Sequence, residues 1–332
     1  MYRNLAACAT ALLVGACGGG AAPPGETAGA ERRFLSLGTA PPGGAFFVVG
    51  GALADVIGEA EPTWTVTAEA TKGTQENIRR LVAGELDLAL ANSAITYFGV
   101  RGERGWESAQ PVLSVMTLAP NVALFLTPAD SGIESIGDLA GRRVVVGPAG
   151  AGFEYFVRPI VEAHGLEWDA FTPLYGTQAA AVDLLADGSA AAAFLGGAVP
   201  TASITQATSG GDVRFVPFDP AVREGLIADY PFFRPATIPA GTYPGQEADF
   251  EGLDVGSMHL VAAESAPEEL VYRLTKLLWE GRARVVERHP AGRAIHEGNV
   301  TRDTGTPFHP GAIRFYREAG LWDEALSADD PS

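Results

Sequence analysis

A strand-like segment, a glycine-rich loop and an amphipathic helix follow one another where the globular part of the chain begins. Residues 34–37 (FLSL) are a short apolar run, and residues 38–44 (GTAPPGG) contain two prolines that prevent a continuous helix. The first turn of a helix has unpaired N–H groups and about half a positive charge, which suits an anion. The unit therefore predicts either an anion-binding loop or an ordinary tight turn. The helix is predicted from apolar residues at helical spacing, which are Phe46, Val49, Leu53 and Ile57.

The same unit occurs a second time. Residues 144–147 (VVVG) are rich in valine, residues 148–153 (PAGAGF) form a glycine-rich loop, and helical spacing follows from Phe156. A Gly-Thr-Gln sequence begins a predicted helix at residues 73–75 and again at residues 176–178. These paired features recur in the same order at an offset of roughly 105 residues. The repeat predicts two lobes of similar βα design, with coincidence as the alternative because α/β folds reuse such units.

Polar residues stand where predicted strands end or predicted helices begin. Asn92 and Ser93 come directly after an apolar strand, and open α/β sheets bind ligands at the carboxyl ends of their strands. Thr74 begins a helix, where its hydroxyl would either contact a ligand or only cap the first turn. Six such residues are predicted to converge on a ligand cleft: Thr39, Thr71, Thr74, Asn77, Asn92 and Ser93.

Composition narrows the classes of function. The 332-residue chain has a formal net charge of −17, which argues against binding of nucleic acid, because that needs basic patches. With only 23 Lys and Arg residues, an anion site is expected to use backbone N–H and hydroxyl groups. The sequence contains no nucleophile elbow, no phosphate-binding P-loop and no pair of histidines at helical metal-ligand spacing. We therefore expect a binding protein without catalytic residues, metal or cofactor.

The first residues predict export and attachment to a membrane. Residues 5–14 are apolar but too few for a permanent membrane span. The small residues before Cys17 resemble a bacterial lipoprotein signal, which implies cleavage before Cys17 and lipid attachment to it. An ordinary secretory signal with an incidental cysteine is the alternative. Residues 18–33 have the composition of a flexible linker, so we expect a lipid-anchored protein of the periplasm or cell envelope.

Several motifs in fixed order resemble one family, the TAXI-type solute-binding proteins of tripartite ATP-independent periplasmic (TRAP) transporters. The first is a Gly-Thr loop that leads to an aromatic pair, here Phe46 and Phe47. Further matches are the residue 71–77 block (TKGTQEN), the following GELDLA at 84–89, and the second glycine-rich loop at 147–154. The resemblance extends over about residues 34–320.

This resemblance implies a two-lobed α/β fold of the type II periplasmic-binding-protein kind, with a cleft between the lobes. It implies a small organic carboxylate as ligand, delivered to a TRAP permease that an ion gradient drives. The open alternatives are a ligand-sensing lipoprotein for a membrane signalling protein and a secreted enzyme that uses the same cleft. The ligand-binding residues expected from the patterns and the resemblance are Thr39, Gly43, Gly44, Phe46, Thr71, Gly73, Thr74, Asn77, Asn92, Ser93, Gly150, Ala151, Gly152, Phe153, Tyr175 and Gly197.

Departures from the family pattern affect the expected ligand. Phe46 and Phe47 stand where the family has tyrosines, and Ala151 and Phe153 replace hydroxyl-bearing residues of the second loop. These losses predict a carboxylate whose remainder is less polar than that of glutamate, because a buried polar group without a partner is costly. The alternative is that Tyr243, Tyr175, Gln178 or ordered water supplies the missing contacts.

The expected organisation divides the chain into six segments. These are a signal peptide with its lipidation site at 1–17, a linker at 18–33, lobe 1 at 34–125, lobe 2 at 126–225, a return to lobe 1 with the hinge and C-terminal helices at 226–320, and a tail at 321–332.

Overall fold

A computed structural model describes residues 32–42 and 44–324 of the chain, and Gly43 and Cys17 lie outside the described residues. The described part contains two β-sheets. The first sheet has the strand order β2-β1-β3-β12-β4. The strands β2, β1 and β3 are parallel, β12 pairs antiparallel with β3, and β4 pairs antiparallel with β12. Its strands are β1 (Arg33–Gly38), β2 (Trp64–Glu69), β3 (Leu88–Asn92), β4 (Val112–Thr117) and β12 (Met258–Ala263).

The second sheet has seven strands in the order β10-β11-β5-β8-β6-β7, with β9 also paired to β5. The strands β6, β7 and β8 are parallel, whereas β5 runs antiparallel to β8. The strands are β5 (Val122–Pro128), β6 (Arg143–Val145), β7 (Thr172–Leu174), β8 (Ala192–Gly197), β9 (Val213–Val216), β10 (Phe233–Ile238) and β11 (Phe250–Val255).

Helices connect and cover the strands. On α8, for example, Leu270, Leu274 and Leu278 recur every fourth residue and are buried, as expected for an amphipathic helix. None of the described helices is both long enough and apolar enough to cross a membrane. The helices are α1 (Ala45–Ala60), α2 (Thr74–Val82), α3 (Ser93–Arg101), α4 (Glu154–Ala163), α5 (Gln178–Ala186), α6 (Ala202–Gly210), α7 (Pro220–Asp229), α8 (Glu268–Glu280), α9 (Arg282–Arg288) and α10 (Pro310–Glu318).

The two sheets share one topology. The segment β1-α1-β2-α2-β3 places its strands in the order β2-β1-β3, and the segment β6-α4-β7-α5-β8 places its strands in the order β7-β6-β8. In both sheets an antiparallel strand from elsewhere in the chain then pairs with the third strand. The helix that follows the third strand is α3 in one sheet and α6 in the other. The repeated sequence features thus occupy equivalent positions in the two halves.

The chain passes between the sheets twice, at residues 118–121 and at residues 256–257. We call the part built on the first sheet lobe 1 and the part built on the second sheet lobe 2. Strand pairing therefore divides the lobes after β4 and after β11, whereas the expected boundaries were at residues 125 and 225. The difference arises because β5, β10 and β11, which are distant in sequence, pair into the second sheet.

Hydrogen bonds join the two crossing segments to each other and to lobe 1. The Asn121 N–H donates to the Asp254 carboxylate at 3.0 Å, and the Ser257 hydroxyl donates to the same carboxylate. Burial raises the pKa of Asp254. The Asn92 side-chain amide donates to the Gly256 carbonyl at 2.7 Å. Gly256 has φ of +108°, and a Cβ there would lie 2.5 Å from the Asn92 side-chain oxygen, so only glycine fits this crossing.

Aromatic rings also bring the lobes together beside the crossings. Phe98, on α3 of lobe 1, lies 6.0 Å from Tyr155, 6.1 Å from Tyr230 and 5.7 Å from Phe232 between ring centroids. Trp106 lies 6.2 Å from Tyr155. These rings are part of one buried cluster that includes residues of both lobes. The cleft is therefore closed by apolar packing on this side.

Candidate functional site

A cavity of about 470 Å³ lies between the two lobes. Lobe 1 contributes the loop before α1, represented by Pro41 and Pro42, and the start of α2 at Gly73. Lobe 2 contributes the end of β8 at Gly196 and the start of α6 at Thr201. A cavity of this size, between two lobes and at the ends of parallel strands, is where such folds bind small molecules.

Four helices begin at this cavity without a side-chain cap. They are α1, α2, α4 and α6, whose N-cap residues are Gly44, Gly73, Phe153 and Thr201. A Cβ built on Gly197 would lie 3.8 Å from Ala45 and 3.5 Å from Thr201, so the first turns of α1 and α6 approach each other across the cleft. Each uncapped turn presents N–H groups and the positive end of the helix dipole. Their convergence favours a negatively charged ligand group.

The side-chain charge around the cavity also favours a negatively charged ligand group. Lys72 and His289 line it, and the described lining residues include no Asp or Glu, although the chain has a net charge of −17. Burial lowers the pKa of His289, whose Nδ1 accepts a hydrogen bond from the Ala291 N–H at 3.1 Å. Burial therefore disfavours the charged form of His289, and Lys72 is the positive side chain. An ammonium group would find no carboxylate partner here.

Polar side chains on the lobe 2 wall are fixed by their own hydrogen bonds. The Gln178 amide exchanges two hydrogen bonds with the backbone of Gly196, at 2.8 and 3.2 Å. The Ser203 hydroxyl donates to the Gln178 side-chain oxygen at 2.7 Å. The Thr201 N–H donates to the buried Tyr243 hydroxyl at 2.8 Å. This network holds the start of α6 against the end of β8.

The rest of the wall is apolar. Phe46 and Val48 come from α1, Ile95 from α3, and Phe153 and Phe156 from the second glycine-rich loop and α4. The Phe153 ring lies against Gly147, where a Cβ would come within 2.4 Å of it. The cavity thus offers apolar surface for an uncharged part of a ligand next to the helix N-termini.

A second cavity of about 440 Å³ lies beyond Phe153 and Pro148, which line both cavities. Gln75 and Arg104 line it from lobe 1, and the Gln75 amide donates to the Tyr155 hydroxyl of lobe 2 at 3.1 Å. Tyr175 also lines it and remains 47% exposed. Burial, with the hydrogen bond from its hydroxyl to Glu154, raises the pKa of Tyr175 to about 12.

A family model described as the NMT1-like family matches residues 37–320. The chain belongs to the NMT1-like family. The expected membership in the TAXI family is therefore wrong, and the TRAP permease and the ion-gradient coupling lose the resemblance that supported them. The motifs that carried the resemblance are short glycine-rich loops and helix starts. Two-lobed α/β folds share these features, so they do not separate one family from another.

Solved structures agree with this fold. The alkanesulfonate-binding protein SsuA from Xanthomonas axonopodis pv. citri, bound to MOPS, is 17% identical over 90% of this chain and 83% of that chain, with a TM-score of 0.51. PhnD1 from Prochlorococcus marinus (MIT 9301), in complex with methylphosphonate, is 10% identical over 87% and 99%, with a TM-score of 0.54. The periplasmic binding protein BugD is 17% identical over 89% and 97%, also with a TM-score of 0.54. The expected two-lobed periplasmic-binding-protein fold is confirmed.

Half of the sequence-predicted site residues line the cleft cavity of this NMT1-like chain. Two of them have side chains that already make hydrogen bonds within the protein. The Thr74 hydroxyl accepts the Asn92 N–H at 2.9 Å, and the Asn92 oxygen caps α3 by accepting the Ala94 and Ile95 N–H groups. The eight residues at the cavity are Gly44, Phe46, Gly73, Thr74, Asn92, Ala151, Phe153 and Gly197.

Four other predicted residues are buried away from both cavities. The Thr39 hydroxyl donates to the Glu69 carbonyl, and the Thr71 hydroxyl donates to the Thr39 carbonyl. The Asn77 amide donates to the Thr39 carbonyl at 2.7 Å and to a carbonyl of β3. Ser93 is fully buried at the start of α3. The side chains of Thr39, Thr71 and Asn77 hold the loop after β1 in place, whereas the Ser93 hydroxyl has no hydrogen-bond partner within the described part of the chain.

The remaining predicted residues divide between the second cavity and the undescribed part. Gly150, Gly152 and Tyr175 line the second cavity, and Gly43 lies outside the described residues.

Patterns in the sequence did not point to α6, because residues 202–210 (ASITQATSG) lack a clear apolar spacing. The available signal was position, since this segment follows the end of β8 as α3 follows the end of β3. The polar cavity-lining residues that were missed are Lys72, Asn121, Thr177, Thr201, Ser203, Gln206 and His289.

Proposed function

We propose that this protein is a solute-binding protein that holds a small organic anion in the cleft cavity. The observation that carries the proposal is the convergence of four uncapped helix N-termini, α1 and α2 from lobe 1 and α4 and α6 from lobe 2, on one cavity. Groups from both lobes around one ligand are what a binding protein needs to close on its solute. The described cavity lining offers no acid–base pair, which favours binding over catalysis.

The proposed solute has an anionic head and an apolar body without an ammonium group. The head lies at the helix N-termini near Lys72, and the body packs against Phe46, Ile95 and Phe153. A carboxylate fits this description, and so does a sulfonate or phosphonate. The ligands in the titles of two similar structures, MOPS for SsuA and methylphosphonate for PhnD1, support including the latter two classes. Amino acids are disfavoured because their ammonium group would lack a carboxylate partner.

Mass spectrometry of solute released by denaturing the purified protein tests the proposal directly. Calorimetry then compares branched and aromatic monocarboxylates, alkanesulfonates, methylphosphonate, 2-oxoglutarate and glutamate. We expect a monoanion with an apolar body to bind most tightly. Glutamate binding at least as tightly as every such monoanion would contradict the proposed ligand class, and a released cation would contradict the site.

We propose that the protein works in the periplasm and delivers its solute to a membrane permease. The confirmed fold, which the periplasmic binding protein BugD shares, supports this location. The proposed anchor is Cys17, which lies outside the described residues. Metabolic labelling with a fatty acid is expected to label the wild-type protein and to leave Cys17→Ser unlabelled and released from membranes. An unlabelled wild-type protein would remove the anchor from the proposal.

A further inference from the structure

The second cavity contains two guanidinium groups, one from each lobe. Arg104 follows α3 in lobe 1, and Arg158 lies on α4 in lobe 2. Both side chains are about one-third exposed, at 32% and 35%. Their shared neighbour is the carboxylate of Glu162, which lies 3.9 Å from Arg104 and 3.7 Å from Arg158. Both distances are within ion-pair range but exceed hydrogen-bond length, so Glu162 partly neutralises the two cations without a direct hydrogen bond to either.

Aromatic rings hold both guanidinium groups in place. Arg104 lies over Phe98 at 5.0 Å and donates one hydrogen bond, to the Tyr230 hydroxyl at 3.3 Å. Arg158 lies over the ring of Trp168 at 4.5 Å and donates no hydrogen bond within the described part of the chain. Stacking leaves the edges of a guanidinium free to donate. Most of the ten N–H donors of the pair, five on each guanidinium, therefore lack an acceptor.

The backbone at this cavity is unusual for an arginine. Arg104 has φ of +50°, and it is the one non-glycine residue with positive φ among those described. Such a conformation is strained and is found preferentially at ligand sites. Gly150 and Gly152 of the second glycine-rich loop also line this cavity. The loop whose sequence suggested an anion site thus lines the same cavity as this pair of cations.

One carboxylate lines the cavity and opposes an anion. Glu154 stands at the start of α4, and its side chain accepts the Tyr175 hydroxyl at 2.6 Å. Removing its charge should therefore strengthen anion binding, whereas removing either arginine should weaken it. A ligand with an ammonium group would respond to the Glu154 change in the opposite direction.

We propose that the second cavity is an anion site that links the lobes through Arg104 and Arg158. The shared chemistry of its ligand is an oxyanion, such as a phosphate, sulfate or sulfonate group. The oxyanion comes either from solution or from a second acidic group of the solute that reaches past Phe153. The site is defined by side chains other than those of the cleft, and it stands whether or not the cleft binds a solute.

Inorganic phosphate and sulfate are the probes, titrated calorimetrically at ionic strength matched with sodium chloride. We expect both to bind wild-type protein, with affinity reduced at least tenfold in Arg104→Gln and in Arg158→Gln. Glu154→Gln should bind phosphate several-fold more tightly. Arg282→Gln is the matched control, because Arg282 also stacks on a tryptophan, Trp279 at 4.3 Å, and lines neither cavity. Its affinity should be unchanged.

Several results would overturn the proposal. These are an absence of phosphate binding by wild-type protein, wild-type affinity in both arginine variants, or weaker binding in Glu154→Gln. The last readout holds even where an arginine variant fails to fold. Phosphate binding abolished by Ser203→Asp but kept in Arg104→Gln would place the anion in the cleft, which rejects this site and leaves the proposed function intact.

The source of the oxyanion follows from the solute recovered from wild-type protein. Reduced affinity for that solute in Arg104→Gln, in buffer without phosphate or sulfate, identifies a second acidic group of the solute. Unchanged solute affinity with a lost phosphate response identifies an anion from solution. Either result supports the site.

Discussion

A single added carboxylate in the cleft should separate ligand binding from stability. Ser203 is the second residue of α6, lines the cavity and is buried. Ser203→Asp places a negative charge where the anionic head is proposed to lie, and Ser203→Asn has the same shape without the charge. Both variants replace the hydroxyl that donates to Gln178, and comparing them with each other removes the effect of side-chain size.

The magnitude follows from Coulomb's law. Two like charges about 5 Å apart, at an effective dielectric constant of about 20, repel by about 3 kcal/mol. This energy corresponds to a roughly 200-fold loss of affinity for Ser203→Asp relative to Ser203→Asn. Folding should respond in the opposite direction, because a carboxylate in the first turn of a helix stabilises it by about 0.3–1 kcal/mol.

Calorimetry with the solute recovered from wild-type protein, together with urea unfolding of both variants, measures the two effects. We expect weaker binding by Ser203→Asp with equal or higher stability than Ser203→Asn. Equal affinities in the two variants would show that no anionic group lies near the start of α6. Tighter binding by the aspartate variant would indicate a cationic ligand.

Three further substitutions probe the frame around the cleft. Gly256→Ala should lower the free energy of unfolding by at least about 2 kcal/mol, because φ at residue 256 is positive and the new Cβ would press on Asn92. A loss below about 0.5 kcal/mol in urea unfolding would contradict this prediction. His259 is fully buried, and burial lowers its pKa from 6.5 to about 3, so its stabilising contribution is present above pH 6.5 and lost as pH falls toward 3. Wild type should therefore lose roughly 2.5 kcal/mol more than His259→Gln between pH 7 and pH 4.5, and equal losses would refute the assignment. Tyr243→Phe leaves the Thr201 N–H without its acceptor, and thermal and urea unfolding should show a loss of about 1–3 kcal/mol, whereas an unchanged protein would show that water replaces the hydroxyl.

The strand–loop–helix units were predictable from the sequence because the residues that end the strand and begin the helix are neighbours in the chain. Two prolines and several glycines stop regular structure after β1, and apolar spacing then defines α1. The unit that begins at β6 is recognisable for the same reason. The assignment of β10 and β11 to lobe 2 was not predictable in this way, because pairing with β5 joins segments more than a hundred residues apart and leaves no local signal.

Site residues were harder to predict than elements, since a polar residue at a strand end has two uses. Thr39 and Asn77 are correctly placed near a ligand-binding edge, yet their side chains satisfy backbone groups of the loop after β1. A buried carbonyl needs a donor whether or not a ligand is present. Sequence pattern does not distinguish a side chain that satisfies the loop from one that reaches the solute.

The two lobes repeat one topology but do not contribute equivalent sets of helices to the cleft. By strand order, α2 of lobe 1 corresponds to α5 of lobe 2. The α2 helix begins at Gly73, which has no side chain to cap it, whereas Thr177 begins α5 and its hydroxyl accepts the Ala180 N–H at 3.2 Å. The capped turn has one less donor for an anion, and lobe 2 instead presents the uncapped α4 and α6. A duplicated fold therefore predicts where ligands approach, while single cap residues decide which helix meets them.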